Sequence, residues 1–289
     1  MLPYAPLRVS FQGEPGAFSE MATREYFADQ ELETVPCPTF QDAAELVEQG
    51  AVQYGCLPIE NSTYGTVIRT YELLLETGLH IIGELYYRVQ QCLIAPHGMV
   101  LEDVQVARSH YQALGQCRQW LRQHGIEAVE WSDTAGAVKS LLEPAPGVAA
   151  IASRLAAEIY GMNVLEPNIN QAGLNFTRFV ILSPTAADIK KRVINKQQPK
   201  VIKTSLVVES PRPLFQILGA FALREIEVVK VEAHPKPETP FKPRWFLDFL
   251  GDKDDKNCQN ALNQLREHGN LIVLGSYFDH YGLVKSHWK

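Results

Sequence analysis

The sequence has few of the features that mark secreted, membrane-spanning or metal-binding proteins. Its 289 residues include only five cysteines, scattered and without a C-x-x-C pair. This argues against a disulfide framework and against a zinc site. No apolar run approaches the roughly 18 residues of a membrane helix, and the first residues, MLPYAPLRVS, lack the apolar core of a secretory signal. We therefore expect no membrane association and a cytoplasmic location, or a plastid location if an upstream transit peptide has been removed.

Basic residues are too few for a nucleic-acid surface. The chain has 27 Lys+Arg against 33 Asp+Glu, a net charge of -6, so no nucleic-acid partner is expected. The eight histidines show no H-E-x-x-H spacing, and neither G-x-G-x-x-G nor G-x-x-x-x-G-K-[ST] occurs. Neither a metal nor another cofactor is expected, and any catalysis must come from side chains.

The sequence does contain a regular alternation of strand and helix patterns. Hydrophobic residues make up 46% and charged residues 21%, as in ordinary globular proteins, and the length suggests about two domains. Short apolar strands alternate with amphipathic helices from residue 7 to residue 182, which predicts an α/β fold with a largely parallel sheet. Ligands of such folds bind beyond the carboxyl ends of strands. The polar turns at Gln12, Glu60 and Ser109 are therefore candidate walls of a cleft.

A basic, polar stretch separates this region from a second unit. The segment IKKRVINKQQPK at 189–200 indicates a linker. Beyond it the patterns predict a strand at 204–209, a helix at 214–224, strands at 228–233 and 245–251, a helix at 257–268 and a strand at 271–276. The order βαββαβ is that of a ferredoxin-like split unit.

The segment PIENSTYG places three polar side chains directly after an apolar strand. Glu60 accepts hydrogen bonds, Asn61 both donates and accepts them, and Ser62 suits the cap of the next helix. A binding role and simple helix capping both remain open from these residues alone.

Two other turns join a strand to a helix. Glycines in FQGEPGAFSE at 11–20 precede a helix that Ser19 is expected to cap, and backbone N–H groups there suit an anion, although an ordinary turn has the same pattern. In SHYQALGQC, Gln112 and Gln116 share a helix face. Ser109 and His110 point apart in the strand end, so they form no nucleophile–base pair, and a structural role is favoured for His110.

The segment NFTRF opens the last strand before the linker. Thr177 and Phe179 share one face of that strand, and Arg178 lies on the other. A threonine on a cleft wall can donate a hydrogen bond, and an arginine can bind a carboxylate with two N–H groups. The alternative is a strand end with one solvated arginine.

Taken in order, six segments resemble the prephenate dehydratase family over nearly the whole chain. Each segment alone is weak evidence for the family, but six segments in the same order are specific evidence. The segments are FQGEPGAFSE, GCLPIENSTYGTV, HIIGEL, SHYQALGQC, ASRLAAEIYGMNVL and NFTRF. The tail from Lys203 resembles an ACT regulatory domain. Its phrases KTSLVV, FALREIEVVKVEAHP and VLGSY resemble the plant-type enzymes, some of which prefer arogenate.

The resemblance implies a fold, an activity and an assembly. The activity is the conversion of prephenate to phenylpyruvate in L-phenylalanine biosynthesis, or of arogenate to L-phenylalanine, without a cofactor. The implied fold is a two-lobed catalytic domain like a periplasmic binding protein at 1–184, with crossovers near 84–89 and 173–178. A linker at 185–200 and an ACT domain at 201–289 follow, with L-phenylalanine as the effector, in a homodimer or homotetramer.

The resemblance also implies roles for individual residues. Thr177 is expected to donate a hydrogen bond to the departing ring hydroxyl. The catalytic set is Thr177, Asn61, Ser109, Gln116 and Glu60. The substrate-binding set is Ser62, Thr134, Arg178, Phe179, Gly16 and Ala17. The effector set is Pro213, Leu214, Phe215, Glu232 and His234.

The chain departs from the family pattern at several positions. Many members have a histidine where this chain has Gln91, directly before Cys-Leu. The effector segments are altered too, since Arg212–Phe215 lacks the usual glycine and His234 replaces an arginine, which leaves regulation by L-phenylalanine open. Two other classes are a non-catalytic amino-acid sensor and a LysR-like transcriptional regulator. The regulator is disfavoured because no helix-turn-helix segment or basic patch is evident.

Overall fold

The computed structural model describes residues 5–143, 145–171, 175–186, 201–236, 239 and 242–282. The elements of the first part are β1 (Leu7–Gln12), α1 (Phe18–Tyr26), β2 (Leu32–Cys37), α2 (Phe40–Glu48), β3 (Tyr54–Asn61), β4 (Gly65–Thr66), α3 (Ile68–Thr77), β5 (His80–Arg88), β6 (Cys92–Ala95), β7 (Val106–Ser109), α4 (Tyr111–Gln123), β8 (Glu127–Glu130), α5 (Thr134–Lys139), β9 (Val148–Ala152), α6 (Arg154–Tyr160), β10 (Asn163–Glu166) and β11 (Phe176–Ser183). The later elements are β12 (Ile202–Glu209), α7 (Leu214–Ala222), β13 (Val228–His234), β14 (Arg244–Leu250), α8 (Lys256–Arg266) and β15 (Asn270–Phe278).

The first of three sheets has the strand order β2-β1-β3-β11-β5, with β4 paired to β3. Strand β1 runs parallel to both of its neighbours. The second sheet has the order β10-β6-β9-β7-β8. It is parallel at β7–β8 and β7–β9 and antiparallel at the β6 edge. The expected α/β class is confirmed, and both sheets mix parallel with antiparallel pairs, such as the antiparallel pair of β3 and β4.

Helices cover the second sheet on both faces. Its central strand β9, with the sequence VAAIA, is completely buried. One face packs against α5 and α6 through residues such as Val138 and Ala156, and the other packs against α4 through residues such as Leu121. The small alanines of β9 allow this close approach from both sides, because a buried strand must fit a helix on each face.

The third sheet is antiparallel and has the order β13-β14-β12-β15. Its core joins Leu206 and Phe249 of the sheet to Phe221 of α7 and Leu262 of α8. The chain order βαββαβ with the first strand inside the sheet is the ferredoxin-like arrangement. The fold class expected for the C-terminal region is therefore confirmed.

Some local predictions were wrong. Strands β2 and β10 were not expected from the sequence. The first helix begins at Phe18 with Ala17 as its N-cap residue, so Ser19 lies inside the helix, where it is buried. Ser19 therefore does not cap the helix, because the turn before it closes two residues earlier.

The chain divides into two compact units that are discontinuous in sequence. One comprises Met1–Leu73 and Tyr86–Phe179, and the other comprises Leu74–Leu85 and Val180–Lys289. The predicted boundaries at 184, 200 and 201 stay predictions, and most of the expected linker, 187–200, lies outside the described residues. So do residues 173 and 174 of the expected crossover at 173–178.

A buried ion-pair network lies within the second unit. The Nζ of Lys203 lies 2.7 Å from Oε1 of Glu84 and 2.6 Å from Oδ1 of Asp279. The backbone N–H of His280 donates to the same Glu84 oxygen at 2.9 Å. Burial lowers the pKa of His280. The network ties β5 to β12 and to the segment that follows β15.

Candidate functional site

The site is built where the end of strand β3 lies beside the beginning of strand β11. The backbone N–H of Ser62 donates to the Phe176 carbonyl at 2.9 Å, and the N–H of Phe176 donates to the Ser62 hydroxyl at 3.0 Å. These reciprocal bonds fix the register of the two strand ends. They also bring the segments PIENSTYG and NFTRF together. The family resemblance implies this, because it places Asn61 and Thr177 in one catalytic set.

The side chain of Asn61 connects the groups of this site through hydrogen bonds. Its Nδ2 donates to the Thr177 hydroxyl oxygen at 3.0 Å and to Asn175 Oδ1 at 2.9 Å. Its Oδ1 accepts from the backbone N–H groups of Thr63 and Tyr64, at 2.9 and 3.0 Å, which holds the turn into β4. Only an amide side chain both donates and accepts in this way, so the residue type follows from the geometry.

Thr177 receives its hydrogen bond as an acceptor. Because Asn61 donates to Oγ1, the hydroxyl hydrogen of Thr177 is directed elsewhere. The side chain is partly exposed, whereas its neighbours Phe176 and Phe179 are buried. The position therefore suits a donor to a bound molecule, and the role of Phe179 as a substrate contact stays a prediction.

Arg178 lies on the other side of the strand from Thr177. Its side chain is 2% exposed, and Nη1 lies 3.5 Å from Oε2 of Glu60. The alternative of a solvated arginine is therefore wrong. Because the guanidinium is buried and paired, this arrangement braces the PIEN segment. Direct carboxylate binding by Arg178 and a catalytic role for Glu60 stay predictions.

The backbone N–H groups of the glycine-containing turn before α1 donate to groups of the same turn and of α1. The N–H of Gly16 donates to Oε2 of Glu20 at 2.6 Å, and the N–H of Ala17 donates to the Glu14 carbonyl at 3.0 Å. The Gly16 carbonyl accepts from the Ser153 hydroxyl at 2.6 Å. The anion contact predicted for the backbone of Gly16 and Ala17 is therefore not supported, because both N–H groups are already used.

Ser109 and Thr134 occupy structural positions in the second sheet and its helix. The Ser109 hydroxyl is buried and donates to the Ile151 carbonyl at 2.6 Å, which ties β7 to β9. Thr134 is the first residue of α5, which Asp133 caps by accepting from Gly136 N–H at 2.7 Å. Ligand contacts by Ser109 and Thr134 stay predictions.

His110 is the N-cap residue of α4 and makes no side-chain capping bond. Its pKa is lowered, mainly by burial. The structural role that the sequence favoured for His110 stays a prediction.

The side chain of Gln116 is hydrogen-bonded to Gln91, a residue that was not predicted from the sequence to belong to the site. Nε2 of Gln91 donates to Oε1 of Gln116 at 3.1 Å, and Gln91 is 2% exposed. The Tyr64 hydroxyl donates to the carbonyl of Gln112, one turn earlier on α4, at 3.0 Å. Asn175, which is bonded to Asn61, was likewise missed. The only signal for Gln91 was its departure from the family's histidine.

The residues expected to bind an effector lie in the C-terminal unit. Pro213 is the N-cap residue of α7, and Phe215 is exposed and lines a cavity of about 370 Å³. Glu232 and His234 lie on the edge strand β13, two strands away from the β12 that leads into α7. Whether these segments, with Leu214, bind an effector stays a prediction.

No group of three or more His, Cys, Asp or Glu residues suited to a metal occurs among the described residues. None of the helices described is long and apolar enough to cross a bilayer. All five cysteines are free and buried.

Comparison with known proteins identifies the family. The family model described as prephenate dehydratase matches residues 9–187. "Arogenate dehydratase/prephenate dehydratase 2, chloroplastic" of Arabidopsis thaliana is 38% identical over 285 residues, which cover 94% of this chain and 72% of that protein. The bifunctional chorismate mutase/prephenate dehydratase of Aquifex aeolicus is 32% identical over 282 residues, covering 94% and 73%.

Two solved structures have similar folds over almost the full length. Prephenate dehydratase from Arthrobacter aurescens, in complex with L-Phe, has a TM-score of 0.83 at 30% identity and covers 95% of this chain and 91% of that chain. A structure titled "GqqA- a novel type of quorum quenching acylases" has a TM-score of 0.81 at 31% identity and covers 94% and 97%. With the family model matching more than half of the sequence, the chain belongs to the prephenate dehydratase family, whose members are lyases of L-phenylalanine biosynthesis.

Proposed function

We propose that the protein removes carbon dioxide and water from prephenate, with Thr177 donating to the departing ring hydroxyl and Asn61 holding Thr177. The observation that carries this proposal is the Asn61 Nδ2–Thr177 Oγ1 hydrogen bond of 3.0 Å. That bond occupies the threonine as an acceptor and leaves its hydroxyl hydrogen for the substrate.

The reaction needs a positioned donor more than a strong acid. The bond from the ring to its carboxylate breaks, the electron pair moves into the ring, and the carbon–oxygen bond on the opposite ring carbon breaks. The hydroxide that leaves takes up a proton to become water, and aromatisation drives the process. A threonine hydroxyl is not an acid near neutral pH, so Thr177 stabilises the leaving oxygen by hydrogen bonding, while solvent makes up the proton.

The surrounding polar groups are proposed to hold the substrate. Both carboxylates and the hydroxyl of prephenate accept hydrogen bonds, so they need N–H and O–H donors. Gln116 supplies an amide next to the turn that Asn61 holds, through the Tyr64–Gln112 contact. The buried Arg178 adds a positive charge behind the Thr177 strand, partly balanced by Glu60.

Arogenate is the alternative substrate. It carries an ammonium group where prephenate carries a keto oxygen, and the reacting ring is the same. The Arabidopsis relative at 38% identity is named for both activities. One contact in the site is enough to shift the preference, and either reaction uses Thr177 in the same role.

We further propose that the C-terminal βαββαβ unit is an ACT domain that regulates the enzyme. The Arthrobacter relative was solved with L-Phe bound. In this chain the cavity beside Phe215 also carries polar groups of Ser210, Arg212 and Gln264, a mixture that suits an amino acid with an aromatic side chain. A homodimer or homotetramer in the cytoplasm or the plastid is part of the same proposal. The five unpaired thiols are consistent with either reducing compartment.

Amide hydrolysis is a second activity to test, because one similar structure is titled as an acylase. An acylase of the nucleophilic type needs an activated hydroxyl or thiol. In this chain the Ser109 hydroxyl donates to the Ile151 carbonyl. Burial raises the pKa of the cysteine thiols, that of Cys56 and Cys117 to about 12. These observations favour the dehydratase.

The direct experiment offers prephenate and arogenate side by side to the purified protein, without added metal or cofactor. Phenylpyruvate and L-phenylalanine are quantified by chromatography, and a protein-free sample measures spontaneous aromatisation. We expect turnover of at least one substrate, and the ratio of kcat/KM values names the preferred one. A folded protein that binds L-phenylalanine but turns over neither substrate would instead be an amino-acid sensor.

A further inference from the structure

We propose that Gln91 is a positioning residue that fixes the orientation of the Gln116 amide, so that its NH2 group rather than its oxygen faces the substrate. The inference rests on the proposed function, because it assigns Gln116 to the substrate site. It explains a position at which this chain departs from the histidine of many family members.

The Gln91 side chain is held on a fixed backbone. Its N–H donates to Asn170 Oδ1 at 3.1 Å, and its carbonyl accepts from Ile169 N–H at 2.9 Å. Both partners lie just after β10, whereas Gln91 immediately precedes β6. With 2% exposure, the side chain has little freedom to seek another partner.

The pairing of the two amides sets their direction. Nε2 of Gln91 donates to Oε1 of Gln116 at 3.1 Å, so the Gln116 oxygen points towards Gln91 and its NH2 group points away. The Gln116 backbone is tied as well, since its carbonyl accepts from Gln171 N–H at 2.9 Å. The amide of Gln116 is thereby fixed at both its main chain and its side chain.

The side-chain oxygen of Gln91 also supports this assignment. Oε1 of Gln91 is buried and makes no hydrogen bond to any described residue. A buried amide oxygen without a partner is costly in a core that has no use for it. The position is better explained by a requirement for the donor of Gln91 than by packing alone, for which an apolar residue would serve.

Two hydrogen bonds connect the helix that carries Gln116 to the turn that Asn61 holds. Asn61 holds the N–H of Tyr64, and the Tyr64 hydroxyl reaches the carbonyl of Gln112, one turn from Gln116 on α4. A donor is the right polarity there, because the substrate's carboxylates accept hydrogen bonds. An amide turned the other way would present its oxygen to a dianion.

The test is Q91E, which keeps the shape and reverses the hydrogen bond. An ionised carboxylate offers only acceptors, so Gln116 must turn its NH2 group towards it and its oxygen towards the substrate. We expect kcat/KM at pH 8 to fall about 10- to 100-fold, the size of one hydrogen bond to a charged group, mainly through KM. Q90E, the same change at the exposed neighbouring residue, is the matched control and should stay near wild type.

The pH profile separates this role from a packing defect. The introduced acid regains a donor when it protonates, so the Q91E to wild-type ratio should rise as the pH is lowered from 8 to 5. The titratable groups nearby are the buried thiols of Cys92 and Cys117, whose pKa values are raised by burial, and the Arg154 guanidinium that acts on Cys92. With their pKa values raised, both thiols stay protonated between pH 5 and pH 8.

Two further variants complete the test. Q91H restores an N–H donor and should recover most of kcat/KM, whereas Q91L has no donor and should show a loss that does not vary with pH. If Q91E fails to fold, the comparison of Q91L with Q91H decides the matter. Equal activity of these two variants, or a folded Q91E at wild-type kcat/KM, would overturn the proposal.

Failure of the proposed function is recognised separately. A wild-type protein that turns over neither substrate refutes the dehydratase assignment. The Kd of prephenate, measured by calorimetry for wild type, Q91E and Q90E, still tests the amide pair. Weaker binding in Q91E alone supports it, and no difference among the three proteins refutes it.

Discussion

At the scale of single residues, the proposed role of Thr177 depends on the amide of Asn61. It donates to Thr177 and Asn175 and accepts from two backbone N–H groups. The N61D variant keeps the acceptor oxygen that holds the turn but replaces the donor NH2 with a second acceptor. The carboxylate then faces the oxygens of Thr177 and Asn175 without a hydrogen between them.

We predict that N61D lowers kcat by about 10- to 100-fold and the free energy of unfolding by about 1–3 kcal/mol, since the partly buried acceptors of Asn175 and Thr177 lose their donor. Steady-state kinetics and urea denaturation measure the two effects. N260D, the same change at an exposed position of α8, should alter neither. An N61D protein with unchanged kcat would mean that Asn61 does not control Thr177.

The sequence pointed to the residue types of this site but not to their contacts. Asn61 and Thr177 are 116 positions apart. Their contact depends on β3 and β11 being neighbours in one sheet, which strand patterns alone do not specify. Gln91 was visible only as a departure from a family pattern, because nothing in its local sequence indicates a partner on α4. Arg178 was expected to bind a carboxylate or face solvent, whereas its burial beside Glu60 follows from the sheet.

At the scale of secondary-structure elements, the turn into α1 is constrained by Gly16. Its φ is +92°, and a Cβ built there would lie 2.6 Å from the Cα of Ala156 in α6. Because Gly16 also accepts from Ser153, which caps α6, the turn and that helix pack as one piece. An added methyl group meets backbone atoms that cannot move aside easily.

We predict that G16A lowers the free energy of unfolding by about 2–4 kcal/mol, combining backbone strain with overpacking. G50A is the matched control, because Gly50 also has a positive φ, +69°, but its Cβ would meet nothing within 4 Å. The G50A variant should lose only about 1–2 kcal/mol of its free energy of unfolding, because it suffers backbone strain without overpacking. Equal losses in chemical denaturation of the two variants would contradict the close approach.

The elements themselves could largely be read from the sequence, with two instructive exceptions. Strands such as β3 and β9 are apolar runs bounded by turn residues, so their patterns are clear. Strand β2 is an edge strand that contains Pro36, and its residues are mostly half-buried, which blurs the alternation. Strand β10, with the sequence NVLE, is likewise a short, half-buried edge strand, and it was missed for the same reason.

At the scale of the whole molecule, the second compact unit includes Leu74–Leu85 from the middle of the catalytic sequence. The sequence could not reveal this, since Glu84 and Lys203 are 119 positions apart and their pairing is tertiary. Their side chains are almost completely buried, and Lys203 also contacts Asp279. Removing the lysine would leave two carboxylates in the interior without their cation.

We predict that K203M destabilises the protein by about 3–5 kcal/mol, the usual cost of breaking a buried ion pair from one side. K253M removes a lysine whose partner, Asp254, lies at the surface, and should cost at most about 1 kcal/mol. Thermal and urea unfolding of the full-length variants test the difference. If K203M is as stable as K253M, the network does not hold the second unit together.

The central claim, that Thr177 supplies the hydrogen bond to the leaving hydroxyl, is tested most directly by the kcat of T177A. With the better of prephenate and arogenate, we predict a fall of about 10²–10³-fold with the fold intact, as for loss of one preorganised donor. T177S, which keeps the hydroxyl, should retain most of the activity. T185A changes an exposed threonine beyond the same strand and should match wild type. A folded T177A within about twofold of wild type would contradict the account.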